Sequence, residues 1–579
     1  MISPQEACRP SSRTAAIPIL CLFVAGLYGN TLGNGFVFDD VHQILNNPWI
    51  RDFRHLHEIF TTNIWAFAGR DSNYYRPLMH VVFAALYVPF GPEAWVFHLA
   101  NVLLHGLATV MVFLIVSRLI PDRVTGTTRF APSAALASGL IFAAHPIHTE
   151  AVAWISSLPD LACAAFYLVG VWMFLGSSTT VDRWTIPHGL GAVCYLVSAL
   201  FKEPGVTMPG VVVLLDLAMR PRSRNARFLA NRYAFLVAAG GSYLVLRYAA
   251  LGGFAPDASD QSAAPAVLLS HMGSAVWQYI AMLVAPVQLN AFHTYRETAW
   301  IPAMAILAAF PLLLGFSVWK RSLPWTAAIA MFLLPLIPAL YAPALLPGLD
   351  NPWAERYVYL SSVGLVVGLG SAWDRGQGLR TGLRRIAIAG LVVVLVVFSI
   401  ATIRRNTVWR NDLTLWTDTV QKAPNSWAAH SYLGYALFAN GDIEGAIGEY
   451  RTAIAMRPDF ADAHLNLGVA LAVIGQHDAA VAAYDQALKL NPRSALTRAN
   501  LSISLAALGH TEKALGEAEQ AIALDRNCAK AYGARGVALA NLGRIPDAAE
   551  SFRRAVDLDP SDASNMANLE RAKQLLKKQ

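Results

Sequence analysis

Long apolar runs separated by short polar loops dominate the chain as far as residue 403. The runs fall at about 14–33, 97–119, 132–145, 159–176, 188–201, 204–219, 233–250, 301–318, 324–342, 357–373 and 386–403. A helix needs roughly twenty apolar residues to cross about 30 Å of hydrocarbon, so the pattern predicts about eleven membrane-spanning helices. Several runs are shorter than that, which predicts thin or broken segments around a cavity. The first run is not followed by a small-residue cleavage signature and reads as a retained signal anchor. Beyond residue 403 the pattern changes to a repeat of 34 residues, on which Pro424, Pro458, Pro492, Arg526 and Pro560 occupy equivalent positions. The expected fold is all-α: a polytopic membrane bundle over 1–403, a linker with a half repeat over 404–426, and a helical solenoid over 427–579.

The repeats follow the tetratricopeptide pattern of helix, turn and helix. His430, Leu433, Gly434, Leu437, Ala446, Tyr450 and Ala453 open the series, and His464, Leu467, Gly468, Leu471, Ala480, Tyr484 and Ala487 repeat it. The third block is degenerate, with Ser502 at the small position, and the fourth recovers with Tyr532, Gly536, Ala548, Phe552 and Ala555. Gly441, Gly475, Gly509 and Gly543 mark the turn inside each helix pair. Residues 561–579 read as a polar helix capping the stack, and such solenoids hold polypeptide in their groove.

Composition fits a membrane protein: 55% of the 579 residues are hydrophobic and 14% charged. The net charge of +7 does not mark a nucleic-acid binder, because the arginines sit in short loops between apolar runs, where they set topology. With Arg9 and Arg13 cytoplasmic, every alternate loop is basic, through Arg118, Arg123 and Arg129, then Arg183, Arg220 to Arg232, Lys320 and Arg321, and Arg375 to Arg385. An odd number of spans then places the repeats outside the cytoplasm, with the loops 34–96, 145–158, 202–203, 251–300 and 343–356. In a bacterium this is an inner-membrane protein with periplasmic repeats; in a eukaryote, an endoplasmic-reticulum protein with lumenal ones. The five cysteines lack paired spacing and encode neither a disulfide framework nor a zinc site.

Those outside loops collect the reactive side chains. Asp39 and Asp40 follow the first span. Arg76 ends the first outside loop, and His98, Asn101 and His105 form a polar stripe on one helical face, expected to face protein or a cavity. His145, His148 and Glu150 lie within one short segment; they read as a hydrogen-bonded hinge or as contacts for a divalent cation, with no metal site assigned. Lys202 and Glu203 sit between two apolar runs, where neighbouring opposite charges are expected to satisfy each other. Arg296, Glu355 and Arg356 complete the set, with Arg356 suited to gripping a lipid phosphate.

Phe38-Asp39-Asp40, Tyr75-Arg76-Pro77, His145 to Glu150, Lys202-Glu203, Glu355-Arg356-Tyr357, and the stretch from Arg404-Arg405-Asn406 to Trp416 leading into the repeats resemble, in that order, the transmembrane and tetratricopeptide-repeat-containing O-mannosyltransferases. The resemblance covers essentially the whole chain and extends more distantly to protein O-mannosyltransferases of the C-type glycosyltransferase (GT-C) superfamily. It implies transfer of a sugar, mannose in that family, from a polyprenyl-phosphate carrier to serine or threonine hydroxyls of an acceptor polypeptide held in the repeat groove. Asp39 or Asp40 is then the base, while Arg76, His145, His148, Glu150, Lys202, Glu203, Arg296, Glu355 and Arg356 bind phosphate or sugar. Phosphate leaves as a stable anion, so one carboxylate with cations opposite suffices. Two alternatives remain open at this point: a non-enzymatic scaffold or receptor for envelope proteins, and a transporter or lipid-linked sugar flippase.

Overall fold

The computed structural model describes residues 12–120, 133–176, 186–219, 226–253, 265–293, 300–340, 353–376 and 380–577. It divides into two compact units, Met1–Leu415 and Trp416–Gln579.

The first unit is a bundle of α1 (Ser12–Tyr28), α2 (Leu56–Thr61), α3 (Pro77–Phe90), α4 (Ala94–Leu119), α5 (Ala134–Ala144), α6 (Thr149–Ala153), α7 (Leu158–Gly176), α8 (Ile186–Phe201), α9 (Met208–Met219), α10 (Ala226–Leu251), α11 (Pro265–Val284), α12 (Trp300–Trp319), α13 (Leu323–Leu333), α14 (Ser362–Gly376) and α15 (Thr381–Asn406). Among the described residues six stretches are long and apolar enough to cross a membrane: Ala15–Gly33, Ala94–Leu119, Ile155–Gly176, Ala230–Leu251, Leu323–Leu340 and Thr381–Arg410. Other expected spans fall on shorter apolar helices, among them Ala134–Ala144, Ile186–Phe201 and Met304–Trp319. The core runs along α4, which packs on α1, α5 and α7, while α7 packs on α8 and α13 on α14. Phe113, Val116, Phe142, Tyr167 and Val363 are buried in it. Short helices stop where proline forbids another turn: α5 ends at His145 before Pro146, and α8 ends before Lys202-Glu203-Pro204.

Two features depart from the expected loops. The stretch 34–96 contains the apolar helix α3, too short to span. The stretch 251–300 contains α11, whose apolar run is interrupted by Ser270, His271, Ser274 and Gln278. Helical periodicity survives there although the run does not, since Ala275, Val276, Tyr279 and Leu283 form one buried face.

The last turns of α15 organise this unit. Most of that helix is exposed, but Thr402, Arg405 and Asn406 at its end are buried. Thr402 Oγ1 donates to the Ala144 carbonyl at 2.8 Å, closing on the end of α5. The Asn406 amide donates to the Leu27 carbonyl (2.9 Å) and to Asn30 Oδ1 (2.7 Å), and the Asn34 amide donates to the Asn406 carbonyl (3.0 Å). Arg405 Nη2 lies 3.0 Å from each carboxylate oxygen of the fully buried Glu355, and Nη1 donates to the Leu289 carbonyl at 2.6 Å. Glu355 also accepts from the Asn290 backbone N–H (2.5 Å) and lies 3.0 Å from His293 Nε2. Four segments distant in sequence thus meet at one helix end.

The second unit contains the paired helices α16 (Asp412–Lys422, which begins just before the division), α17 (Trp427–Ala439), α18 (Ile443–Met456), α19 (Ala461–Val473), α20 (His477–Leu490), α21 (Ala495–Ala507), α22 (Thr511–Leu524), α23 (Ala529–Asn541), α24 (Ile545–Leu558) and α25 (Ala563–Leu576). Gly441, Gly475, Gly509 and Gly543 all have positive φ, between 75° and 87°, which a side chain would strain. Gly434, Gly468 and Gly536 lie against the rings of Tyr450, Tyr484 and Phe552. In the third repeat Ser502 occupies that position and its hydroxyl donates to the Ala514 carbonyl at 2.7 Å. The expected cap is α25, whose Asp562 caps the helix N-terminus by accepting from the Ser564 and Asn565 backbone N–H groups.

Two stability outcomes follow. Glu355→Ala leaves Arg405 buried without its carboxylate and is expected to cost about 3–5 kcal/mol, read as a lower melting temperature in detergent; Arg54→Ala, which breaks an exposed pair with Asp52, serves as the unchanged control. Gly468→Ala puts a Cβ 2.5 Å from Tyr484 Cε1 and is expected to cost the repeats about 1–3 kcal/mol in a thermal melt followed by circular dichroism.

Candidate functional site

The two aspartates that the sequence leaves equivalent have different surroundings. Asp40 is fully buried and bonded throughout: Oδ2 accepts from the Val37 N–H at 3.0 Å, and Oδ1 accepts from the Ser156 N–H at 2.7 Å and its hydroxyl at 2.5 Å. It is a fastener between the segment that follows α1 and the turn just before α7. Asp39 is half-buried, and among the described residues no hydrogen bond engages its carboxylate. Burial pushes its pKa up to about 6, against the pull of Arg356 and Arg70. Burial pushes Asp40 to about 7 despite its hydrogen bonds, with Asp39 adding to the rise.

Backbone strain at Phe38 sets this arrangement. Its φ of 53° lies in the left-handed region that a bulky residue avoids. The conformation is held by the Phe38 N–H donating to Asp412 Oδ1 (2.8 Å), by the Gly35 N–H donating to the Arg410 carbonyl (2.9 Å), and by the Phe38 ring packing 5.7 Å from Trp154 and 6.1 Å from Phe292. The turn sends Asp40 inward and leaves Asp39 within reach of Arg356 and Arg70.

Arg356, which reaches Asp39, belongs to a cluster of three cations with Lys202 and Arg76, each held by one carboxylate. Arg356 bonds Glu150 through both its guanidinium and its backbone N–H, the latter at 3.1 Å, and its guanidinium lies 4.8 Å from the Trp154 ring centroid and 5.0 Å from that of Tyr357. Lys202 Nζ contacts both Asp160 oxygens at 2.6 Å and stands 5.1 Å from the Tyr357 centroid. Arg76 bonds Glu203 at 2.8 and 3.3 Å and lies over Tyr74 at 4.6 Å. Lys202 is therefore paired with Asp160 and not with its neighbour Glu203. Its extended backbone, φ −160° and ψ 152°, sends successive side chains to opposite sides. Burial, with Arg76 and Arg356 adding repulsion, brings Lys202 down to about 8 in spite of Asp160. Arg76 and Arg356 are held above the usual guanidinium value by their carboxylates, and Arg76 chiefly holds Glu203 below the usual carboxylate range.

The remaining expected ligands have structural partners. His145 Nε2 bonds the Leu283 carbonyl at 2.9 Å while its Nδ1 accepts from the Ile147 N–H. His148 Nδ1 bonds the Phe142 carbonyl at 2.8 Å and its Nε2 lies 2.9 Å from Ser362 Oγ; burial keeps this ring well below the usual imidazole pKa. These contacts join the His145–His148 segment to α5, α11 and α14. Among the described residues no three His, Cys, Asp or Glu side chains are grouped to hold a metal ion. Glu355 belongs to the Arg405 lock, and Arg296 lies outside the described residues. The polar stripe of α4 faces protein: the Asn101 amide donates to the Trp154 carbonyl at 2.9 Å, and His105 Nδ1 is 2.7 Å from the Tyr359 hydroxyl. Asp160, Trp154 and Arg405 are not among the site residues expected from the sequence, although Arg405 lies in the stretch that carries the resemblance and Asp160 is an isolated carboxylate in an apolar run.

The tetratricopeptide-repeat family model matches residues 413–455, 433–495 and 500–563. Among curated proteins, the protein O-mannosyl-transferase Tmtc3 of Drosophila melanogaster is 26% identical over 532 residues, covering 79% of this chain and 57% of that one. TMTC1 of Homo sapiens is 27% identical over 502 residues, covering 75% and 54%, and Tmtc2 of Drosophila melanogaster is 37% identical over 219 residues, covering 34% and 21%. The chain spans about half the length of the curated relatives that it matches most extensively. It thus carries tetratricopeptide repeats within 413–563 and apolar membrane-length helices, and is similar over some three quarters of its own length to the curated protein O-mannosyl-transferases.

Proposed function

We propose that this chain is an integral-membrane, GT-C-type glycosyltransferase that moves mannose from a polyprenyl-phosphate carrier to serine or threonine hydroxyls of proteins outside the cytoplasm, with the repeats engaging the acceptor. The observation that carries the reading is the contrast at Asp39: a carboxylate with no hydrogen bond among the described residues, within reach of Arg356 and Arg70, with Lys202 and Arg76 clustered about Arg356, in a chain similar to protein O-mannosyl-transferases. Alternation of arginine-rich and chemistry-bearing loops supports the orientation, which in a bacterium makes the repeats periplasmic.

Asp39 takes the proton from the acceptor hydroxyl as that oxygen bonds to the sugar anomeric carbon. The bond from this carbon to the phosphate oxygen breaks, and its electron pair leaves on the phosphate. Arg356, Lys202 and Arg76 stabilise the charge gathered there. Each cation is already fixed by its own carboxylate, so no reorganisation is needed when that charge develops. Asp40 holds the loop, and Glu150, Asp160 and Glu203 orient the cations.

With purified protein, polyprenyl-phosphate mannose and a serine- and threonine-rich acceptor, product mass is expected to show transfer by the wild type. Asp39→Asn should lower it at least about a hundredfold without changing the melting temperature, whereas Asp40→Asn should lower that temperature. Near-normal turnover by Asp39→Asn would remove the assigned base. No transfer with any donor, from folded protein that still retains polypeptide through its repeats, would favour a scaffold instead.

The acid and base limbs are separable. Asp39 acts only when deprotonated, so kcat/KM should rise with pH through about 6; Lys202 acts only when protonated, so it should fall above about 8. Lys202→Arg should move the falling limb beyond the alkaline range while leaving the rising limb in place.

A further inference from the structure

Tyr357 occupies the centre of the cationic cluster, yet nothing in the pairing of charges accounts for its phenol. Lys202 Nζ and the Arg356 guanidinium stand 5.1 and 5.0 Å from the same ring centroid. Arg76 and Tyr74 lie within electrostatic reach of its hydroxyl. The ring is half-buried, and among the described residues no group hydrogen-bonds that hydroxyl. Tyr359, two residues on, has its hydroxyl 2.7 Å from His105 Nδ1. One tyrosine of the turn is therefore fixed in the core and the other is open toward the cations.

The cations around it also keep unused donors. Lys202 spends two N–H groups on Asp160, Arg76 bonds Glu203 through Nε and Nη2, and Arg356 bonds Glu150 through Nη1. Arg76 Nη1, Arg356 Nη2 and the third Lys202 proton remain for a ligand. Because the three cations are matched by Glu203, Asp160 and Glu150, the cluster is close to neutral, and an arriving anion gains most from several donors aimed at once. A neutral O–H polarised by two adjacent cations is such a donor.

We propose that Tyr357 is a ligand-contacting residue whose hydroxyl donates a hydrogen bond to a phosphate oxygen of a polyprenyl phosphate, alongside Arg76, Lys202 and Arg356. The inference rests on the phosphate-carrier reading of this site, but it needs only binding of the phosphate lipid and not sugar transfer.

The test measures binding of sugar-free polyprenyl phosphate, of unphosphorylated polyprenol and of inorganic phosphate to the full-length protein in nanodiscs, for wild type, Tyr357→Phe and Tyr357→Leu. Tyr357→Phe keeps the ring and both cation contacts, so its melting temperature should match the wild type. Its affinity for polyprenyl phosphate should fall about tenfold, that for polyprenol should not change, and kcat should fall while the acceptor KM stays constant. Tyr357→Leu should also lose the cation contacts and bind more weakly than Tyr357→Phe. Equal loss for inorganic phosphate would keep the hydroxyl as a phosphate ligand and remove the polyprenyl chain from its recognition. Wild-type affinity in Tyr357→Phe overturns the proposal, as does failure of the wild type to bind polyprenyl phosphate. Wild-type binding that Tyr357→Phe weakens, in a protein that transfers no sugar, upholds the proposal and overturns the transferase reading.

Discussion

The buried ion pair of Arg405 with Glu355 is the contact on which the candidate site of the first unit depends. Removing two charges from water is costly, and the cost is offset only when hydrogen bonds saturate both groups. Here Arg405 Nη2 reaches both Glu355 oxygens, its Nη1 donates to the Leu289 carbonyl, and the Asn290 N–H donates to Glu355. Glu355 immediately precedes Arg356, so the pair fixes the backbone that aims the Arg356 guanidinium. One residue beyond Arg405, Asn406 ties in the end of α1, from which the loop to Asp39 departs. A single turn of α15 therefore sets both the carboxylate and the cation of the candidate site, although neither lies on that helix.

Electroneutrality organises the rest of the site. Arg76, Lys202 and Arg356 each face one carboxylate, and all six groups are at least partly shielded from water. Pairing lets cations persist at the membrane boundary, where an isolated charge would neutralise or draw in water. It also isolates Asp39, the carboxylate left over after the matching. The strain stored at Phe38 has the same effect from the backbone side, since a relaxed turn would not separate the two aspartates into one bonded and one open carboxylate.

What the sequence makes legible follows from the range of the interactions involved. The repeats are local: each glycine turn and each glycine-on-ring contact joins residues within one period, so Gly468 and Tyr484 are visible from spacing alone. The long apolar spans are local in the same sense. Helix α11 escapes because polar residues break its run while its buried face persists. Partner choice is the opposite case. Adjacency pairs Lys202 with Glu203 on paper, whereas the fold brings Asp160 and Arg76 to them from distant elements. Nor can two adjacent aspartates be told apart before Ser156 and Asp412 are brought to their loop.

Such long-range assembly has a consequence for how the two units carry change. In the repeats, a substitution is felt by its own helix pair and the next, because each layer contacts only its neighbours. In the membrane unit Glu150, Glu355, Arg356 and Arg405 belong to one connected set, so effects there should not add. Loss of Glu355 perturbs Arg356 through the backbone, and loss of Glu150 perturbs it through the guanidinium. A second loss then removes less than the first, because Arg356 is already misplaced. The same connectivity separates residues that build the site from those that meet a ligand. Asp40, His145, His148 and Glu355 have protein partners, whereas among the described residues no hydrogen bond engages the Asp39 carboxylate or the Tyr357 hydroxyl.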